Sequence, residues 1–186
     1  MPNPAEPAAM QPTSPPDADA QDPLRAIASR LSSPRVDMGL LAALRRFNPL
    51  SDGRHNVFEI QRVLLDAGID LSADSRLQPR WALVVHCLAI VRGAHHARRD
   101  TGARLADLGL GEARLRQLIE ADAALLCDLL PSLARRLAAA RVTLDWRPLA
   151  EMALALDDEG GQARAQRARL QIVQGYLRAS TVKAGT

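Results

Sequence analysis

The chain has few aromatic residues and almost no lysine. Its 186 residues include two Trp, one Tyr and two Phe, too few for a surface that binds mainly by stacking on nucleobases. Of its 24 basic residues only Lys183 is a lysine, and the rest are arginines. The planar guanidinium of arginine suits phosphate groups, but a genome rich in arginine codons would give the same composition. Only the placement of the arginines is therefore evidence of function.

Cysteines and long apolar runs are also scarce. Cys87 and Cys127 lie among aliphatic residues on helical patterns, which favours two buried thiols in a reducing compartment over a disulfide. The longest apolar run, Trp81–Val91, is interrupted by His86 and is shorter than the roughly 20 residues that a membrane span needs. No positively charged start precedes an apolar block. These absences predict a cytoplasmic protein that does not contact membranes.

Motifs for metal binding and catalysis are missing. The histidines are His55, His86, His95 and His96. The adjacent pair 95–96 cannot both face one ion from one side of a helix, so we expect a solvated helix end there, with a weak phosphate contact as the alternative. The sequence has no glycine-rich phosphate loop, Cys-x-x-Cys or adjacent His-Asp pair. It therefore predicts a protein that is not an enzyme and that has no cofactor, metal or small-molecule substrate.

The apolar residues that are present predict an all-α fold. They are mostly Leu, Ala, Val and Ile at spacings of three and four. Residues 1–22 are acidic and rich in proline without such spacing, so they are predicted to form a disordered tail. A turn at residues 100–102 divides the rest into a predicted N-terminal helical bundle, 23–99, and a C-terminal bundle, 100–186, packed together.

Helix ends can be predicted in the first bundle from caps and prolines. Asp22 and Asp37 are each placed to cap a helix. A third helix is predicted over residues 56–67, and the longest from Pro79 to Ala97. The apolar side chains of this longest helix are predicted to share one face.

In the second bundle, Asp122 would fall near the centre of an apolar face if the helix continued through it. We therefore predict a break there, with Asp122 capping the next helix. Pro131 is expected to open a further helix, and Asp145 to cap another. The last helix is predicted to carry its apolar face on Leu170, Val173 and Leu177.

The arginines occur in groups at predicted helix ends and polar faces. The groups are 45–46, 92 with 98–99, 114 with 116, 135–136 with 141, and 164, 167 and 169. Repeated positive charges are what a protein needs to follow a sugar-phosphate backbone, because each neutralised phosphate releases counterions. The alternative for any one group is a solvated face with local ion pairs, such as Glu112 with Arg116.

Three stretches in a fixed order carry a family resemblance: LVVHCLAIVRGA at 83–94, RLADLGLGEARLRQLIEAD at 104–122, and LDWRPLAEM at 144–152. The series resembles the CasB family, the small subunit of the type I-E CRISPR surveillance complex, Cascade. The resemblance implies an all-helical, non-catalytic protein that packs with a second copy of itself. It also implies contacts with the backbone and large subunits, the crRNA, and the target and displaced DNA strands, while the guide RNA supplies sequence specificity.

The resemblance also implies candidate binding residues. The family's basic positions are similar to Arg46, Arg76, Arg92, Arg114 and Arg135 in this sequence. Arg45 and Arg136 adjoin two of these, and Arg98 and Arg99 are added on composition alone. The chain departs from the family pattern at Ala113, Glu120 and 157–159, so arginines 164, 167 and 169 are hypothesised to substitute in the second bundle.

Two other functions fit the same residues. In a helix-turn-helix regulator, residues 104–108 would form the first helix, and Arg114, Arg116 and Gln117 would face a major groove. In a helical adaptor, the arginines would bind an acidic protein surface. A regulator is expected to bind one duplex sequence as a symmetric dimer, whereas an adaptor is expected to bind protein but not nucleic acid.

Overall fold

The computed structural model describes residues 22–47 and 57–184, and this part of the chain is all-α, as predicted. Most of the predicted tail, and His55, lie outside the described residues. The helices are α1 (Pro23–Ser32), α2 (Met38–Arg46), α3 (Val57–Asp66), α4 (Gln78–Ile90), α5 (Thr101–Asp107), α6 (Glu112–Glu120), α7 (Ala123–Ala139), α8 (Arg147–Leu154) and α9 (Glu159–Ala184), with a 3-10 turn over Ser75–Leu77. None of the described helices is long and apolar enough to cross a bilayer.

Helix α4 lies at the centre of the core. All its residues from Trp81 to Ala89 are buried, because α4 packs against α1, α2, α3, α7 and α8. One apolar cluster therefore runs through both halves of the chain. Cys87 is buried in it and Cys127 is half-buried, and both are free thiols. The division into bundles 23–99 and 100–186 stays a prediction.

Three of the predicted caps are confirmed. The Asp22 carboxylate accepts from the Leu24 N–H at 3.0 Å, and that of Asp37 accepts from the Gly39 N–H at 2.8 Å. The Asp122 carboxylate accepts from the Leu125 N–H at 2.8 Å. The chain does break before Asp122, so this charge is exposed and bonded to a helix end instead of buried.

The predicted C-terminal end of α4 was wrong, because the helix stops at Ile90 and not at Ala97. Arg92 and Gly93 have φ angles of 54° and 69°, in the left-handed region that ends a helix. A Cβ on Gly93 would lie 2.1 Å from the Ala28 carbonyl oxygen. The close approach of α1 therefore fixes where the chain turns.

Two predictions in the second half also need correction. Pro131 does not open a helix but lies inside α7, where it is buried. Leu126, Leu130, Leu133 and Leu137 keep one buried face on both sides of it, and this burial outweighs the roughly 3 kcal/mol that an internal proline costs. Asp145 lies one residue before the N-cap of α8, although its carboxylate accepts from the Arg147 N–H at 2.9 Å.

Helix α9 buries a different face from the one predicted. Leu170 and Leu177 are each 51% exposed, whereas Ala165, Ala168, Ile172 and Tyr176 are buried. Gly102 of α5 lies at the closest approach to α9, because a Cβ on Gly102 would lie 2.0 Å from the Ile172 carbonyl oxygen. The backbone of α9 near Ile172 and Tyr176 therefore meets α5, and Leu170 and Leu177 do not belong to this buried face.

Candidate nucleic-acid interface

Three of the predicted arginines lie at neighbouring helix ends. Arg45 and Arg46 occupy the last turn of α2 and are exposed. The Arg45 Nε–H donates to the Ala89 carbonyl at 2.9 Å, which places this guanidinium beside the last turn of α4. Arg92, also exposed, follows that turn. Positive charge is favoured where helix carbonyls end, so the ends of α2 and α4 form one basic region.

Arg92 and Arg141 have a backbone conformation that normally favours glycine. Their φ angles are 54° and 53°, and they follow α4 and α7 respectively. The left-handed conformation costs a residue with a Cβ about 1 kcal/mol. Glycine would relieve strain at both positions, so the backbone does not explain why arginine occupies them.

Arg76 is separated from this basic region and is already paired. Its Nε–H and Nη2–H groups each donate to the Asp74 carboxylate at 2.9 Å, and this contact lowers the pKa of the Asp74 carboxyl group. The Arg76 side chain is 72% exposed. It precedes α4, so about 20 Å of helix lies between it and Arg92. Arg76 therefore presents less net positive charge than an unpaired arginine.

Arg98 and Arg99 are exposed on the loop between α4 and α5, and the backbone of this loop is held in place. The Arg99 carbonyl accepts from the Asp145 N–H at 2.9 Å, and the His96 N–H donates to the Leu144 carbonyl at 3.0 Å. Nearby, the Trp146 indole N–H donates to the Ala94 carbonyl at 3.1 Å. The loop is therefore attached along its length to the segment that leads into α8.

His95 corrects the prediction of a solvated helix end. It is on the loop, and its side chain is only 3% exposed. Its Nδ1 accepts from the Trp146 N–H at 3.1 Å. Burial lowers the pKa of His95, although the nearby carboxylates of Asp145 and Asp22 oppose this shift. His96 is exposed, as predicted.

His86 is the second buried imidazole. Its Nδ1 lies 2.7 Å from the Leu44 carbonyl oxygen, so Nδ1 carries the proton of the neutral ring and donates it to that carbonyl. The edge of the ring meets Phe47, with centroids 5.9 Å apart. Burial lowers the pKa of His86. Among the described residues, no group of histidine, cysteine and carboxylate side chains could hold a metal ion.

The two buried histidines predict that stability falls in mild acid. Their pKa values are lowered in the folded chain, so the unfolded chain binds protons more readily, and stability is lost as the pH falls below the unfolded pKa of about 6.5. Urea unfolding is expected to show a lower free energy of unfolding at about pH 5.5 than at about pH 7.5. His86→Gln should reduce this pH dependence, and the exposed control His96→Gln should not. Equal pH dependence in all three proteins would contradict the prediction.

Arg114 and Arg136 are brought together in space. They line one cavity of about 330 Å³ between α6 and α7. Arg136 is half-buried, and its Nη2–H donates to the carbonyls of Leu108 and Gly109 at 3.1 and 3.0 Å. Arg114 is exposed on α6 and Arg135 on α7. The nine predicted arginines therefore lie in several places on the surface and do not converge on one cluster.

The arginines of α9 are divided between two environments. Arg164 and Arg167 are exposed and near Glu151, whose pKa is raised by burial and pulled down by both guanidinium groups. The Nε of Arg169 is buried and makes no hydrogen bond within the described chain. Arg169 also lines a cavity that contains Glu120, Asp122 and Asp157. Only Arg164 and Arg167 therefore fit the hypothesis of a substitute basic face.

A further group of arginines was not predicted from the sequence. Arg30, Arg35 and Arg62 line a cavity of about 410 Å³ beside α1, α2 and α3. Arg30 forms an ion pair with Asp66, while Arg35 and Arg62 are exposed. Arg35, in the turn after α1, could have been noticed in the sequence. The group as a whole could not, because single arginines in separate helices form no local pattern.

The model of one protein family matches the chain. The family described as CRISPR-associated protein Cse2 matches residues 40–176, well over half of the chain. A search of curated proteins and a search of solved structures found no match. The family match does not favour the helix-turn-helix regulator, although α5 and α6 are consecutive short helices and Arg114, Arg116 and Gln117 are exposed. The chain belongs to the Cse2 family, also called CasB, which is the small subunit of the type I-E Cascade complex.

Proposed function

We propose that this Cse2-family protein binds sugar-phosphate backbones through its arginines and stabilises the crRNA-guided R-loop in antiviral defence. The observation that carries the proposal is the exposure of arginines at the ends of α2 and α4, on the adjoining loop, and on α6 and α7. Helices α2 and α7 pack against α4, and Leu115 and Leu118 of α6 belong to the same apolar cluster. The positive charges are therefore held at fixed separations, as backbone contacts require.

The chemistry of strand exchange explains why such contacts matter. The RNA–DNA duplex that forms is about as stable as the DNA duplex that it replaces, so contacts to the backbone can tip the balance. Guanidinium groups bind phosphates without reading base sequence. In this proposal the crRNA reads the target, and the protein lowers the free energy of the open state without catalysing a reaction.

The family match implies membership of a complex with other Cas subunits and crRNA. We further propose that the protein contacts the backbone and large subunits and a second copy of itself, in the cytoplasm. Its own affinity for nucleic acid can be low, because a subunit held beside its ligand benefits from a high effective concentration. The test must therefore use the assembled complex.

The first test is co-purification. The tagged protein, expressed with the other Cas subunits and a crRNA, is expected to co-elute with the large subunits and a discrete small RNA. A complex prepared without this subunit should form fewer R-loops on a supercoiled target plasmid, because backbone contacts are lost. Elution alone and free of RNA, together with tight binding to one duplex sequence, would instead support the regulator. Equal R-loop formation with and without the subunit would contradict the proposal.

A further inference from the structure

The cavity between α6 and α7 combines apolar walls with a polar rim. Leu110, Leu118 and Leu133 are buried and contribute to its lining. Leu129 is half-buried beside them, and Gln117 and Ser132 are exposed lining residues. At about 330 Å³ the cavity is at the small end of the roughly 300–1,000 Å³ range of small-molecule sites. It therefore suits one compact, largely apolar group with polar edges.

The charged side chains that line the cavity are all positive. Its charged lining residues are Arg114 and Arg136, and all the residues that line it are within the described chain. Arg136 is held by the carbonyls of Leu108 and Gly109, so its guanidinium plane is fixed before any ligand arrives. Arg114 is exposed and can reach an anion outside the cavity. The favoured occupant thus carries negative charge next to a compact, apolar body.

We propose that this cavity holds one unstacked nucleobase of a single strand, with Arg114 on the adjoining phosphate. The proposal rests on the function proposed above. Unpaired bases can be splayed out and stacked on the guanidinium plane of an arginine, and Arg136 supplies such a plane in a chain that has few aromatic residues. Gln117 and Ser132 offer donor and acceptor groups to the polar edge of the base. A paired duplex cannot fill the cavity, because its bases are stacked inside the helix.

The test compares strands with and without bases. The assembled complex is mixed with a labelled oligothymidine, or with a strand of the same length and charge in which abasic sites replace every base. The unmodified complex should bind oligothymidine more tightly than the abasic strand. Ser132→Phe fills the cavity without changing charge, and it is expected to weaken oligothymidine binding about tenfold. This is the loss expected if about 50 Å² of apolar base surface stays exposed to water. Binding of the abasic strand should not change.

A second variant and a control complete the design. Gln117→Phe closes the cavity from α6 and should have the same effect. It replaces Ser132→Phe in the experiment if that variant fails to fold. Gln174→Phe adds the same apolar side chain at an exposed position of α9 and should change neither affinity.

Three results have distinct meanings. If the cavity variants bind both strands as the unmodified complex does, the base site is wrong while backbone binding stands. If the abasic strand binds equally with and without this subunit, the proposed function itself fails. If Ser132→Phe blocks assembly of the complex, the cavity holds a side chain of a neighbouring subunit, and the base site is overturned.

Discussion

The triple variant Arg46→Gln, Arg92→Gly, Arg135→Gln is expected to weaken binding of the assembled complex to single-stranded DNA by about 100-fold, since a hydrogen bond to a charged group contributes at least about 1 kcal/mol. All three residues are exposed. They lie on α2, on the turn after α4 and on α7, and both α2 and α7 pack against α4. The slope of log affinity against log salt should fall by about two, since each phosphate contact with a single strand accounts for about 0.7 of the slope.

The control for this variant is matched in charge and in backbone conformation. Arg62→Gln, Arg141→Gly, Arg178→Gln also removes three exposed arginines, and it also replaces one arginine of positive φ by glycine. Each glycine should raise the free energy of unfolding by about 1 kcal/mol, since the left-handed strain is removed. Weaker binding of the first variant would then not reflect unfolding. An equal loss of affinity in the control would show that net charge, and not position, decides binding.

Gly102→Ala is expected to lower the free energy of unfolding by about 3 kcal/mol, near the upper end of the usual cost of overpacking. The new Cβ would lie 2.0 Å from the Ile172 carbonyl oxygen and 2.4 Å from the Tyr176 backbone nitrogen. Neither atom can move alone, because both belong to the backbone of α9. Separating the helices would also disturb the hydrogen bond of 2.6 Å from the Tyr176 hydroxyl to the Leu110 carbonyl. The melting temperature should fall by about 10 °C.

Gly160→Ala is the control for this substitution. Gly160 is in the first turn of α9, and the nearest neighbours of an added Cβ are side-chain atoms at 3.6 Å, an ordinary contact. Alanine there should leave stability unchanged or raise it slightly, because alanine favours helix over glycine. The two proteins are compared by urea unfolding and calorimetry. Equal stability of Gly102→Ala and the unmodified protein would mean that α5 and α9 do not cross this closely.

The sequence allowed prediction of features that depend on local chemistry. A carboxylate before a run of helical spacing bonds to the first free N–H groups wherever the helix lies, and Asp22, Asp37 and Asp122 do so. The break before Asp122 could be predicted because the alternative would bury a charge.

Features that depend on distant parts of the chain could not be predicted in this way. The buried face of α9 includes two alanines, Ala165 and Ala168, which are weakly apolar, so the exposed leucines dominated the apolar pattern. Helix α4 ends early because arginine adopts a conformation that glycine normally provides. The buried His95 accepts a hydrogen bond from the Trp146 N–H, which is more than fifty residues away in sequence.

The candidate site also combines features that local sequence predicts with features that depend on how distant helices pack. The exposure of arginines at the end of α2 follows from the polar face of a short helix. That Arg114 and Arg136 share a cavity depends on how α6 and α7 pack, and their spacing of 22 residues contains no sign of it. Arg76 was predicted as a binding residue, and its pairing with Asp74 became apparent only from the geometry of the 3-10 turn.

The attachment of the loop between α4 and α5 has a consequence for binding entropy. Fixing a free loop on a ligand costs conformational entropy, and this cost is subtracted from the affinity. Here the backbone that carries Arg98 and Arg99 is already ordered by its hydrogen bonds to the segment before α8. If these arginines bind phosphate as proposed, only their side chains would lose freedom, and a larger share of each contact's energy would appear as affinity.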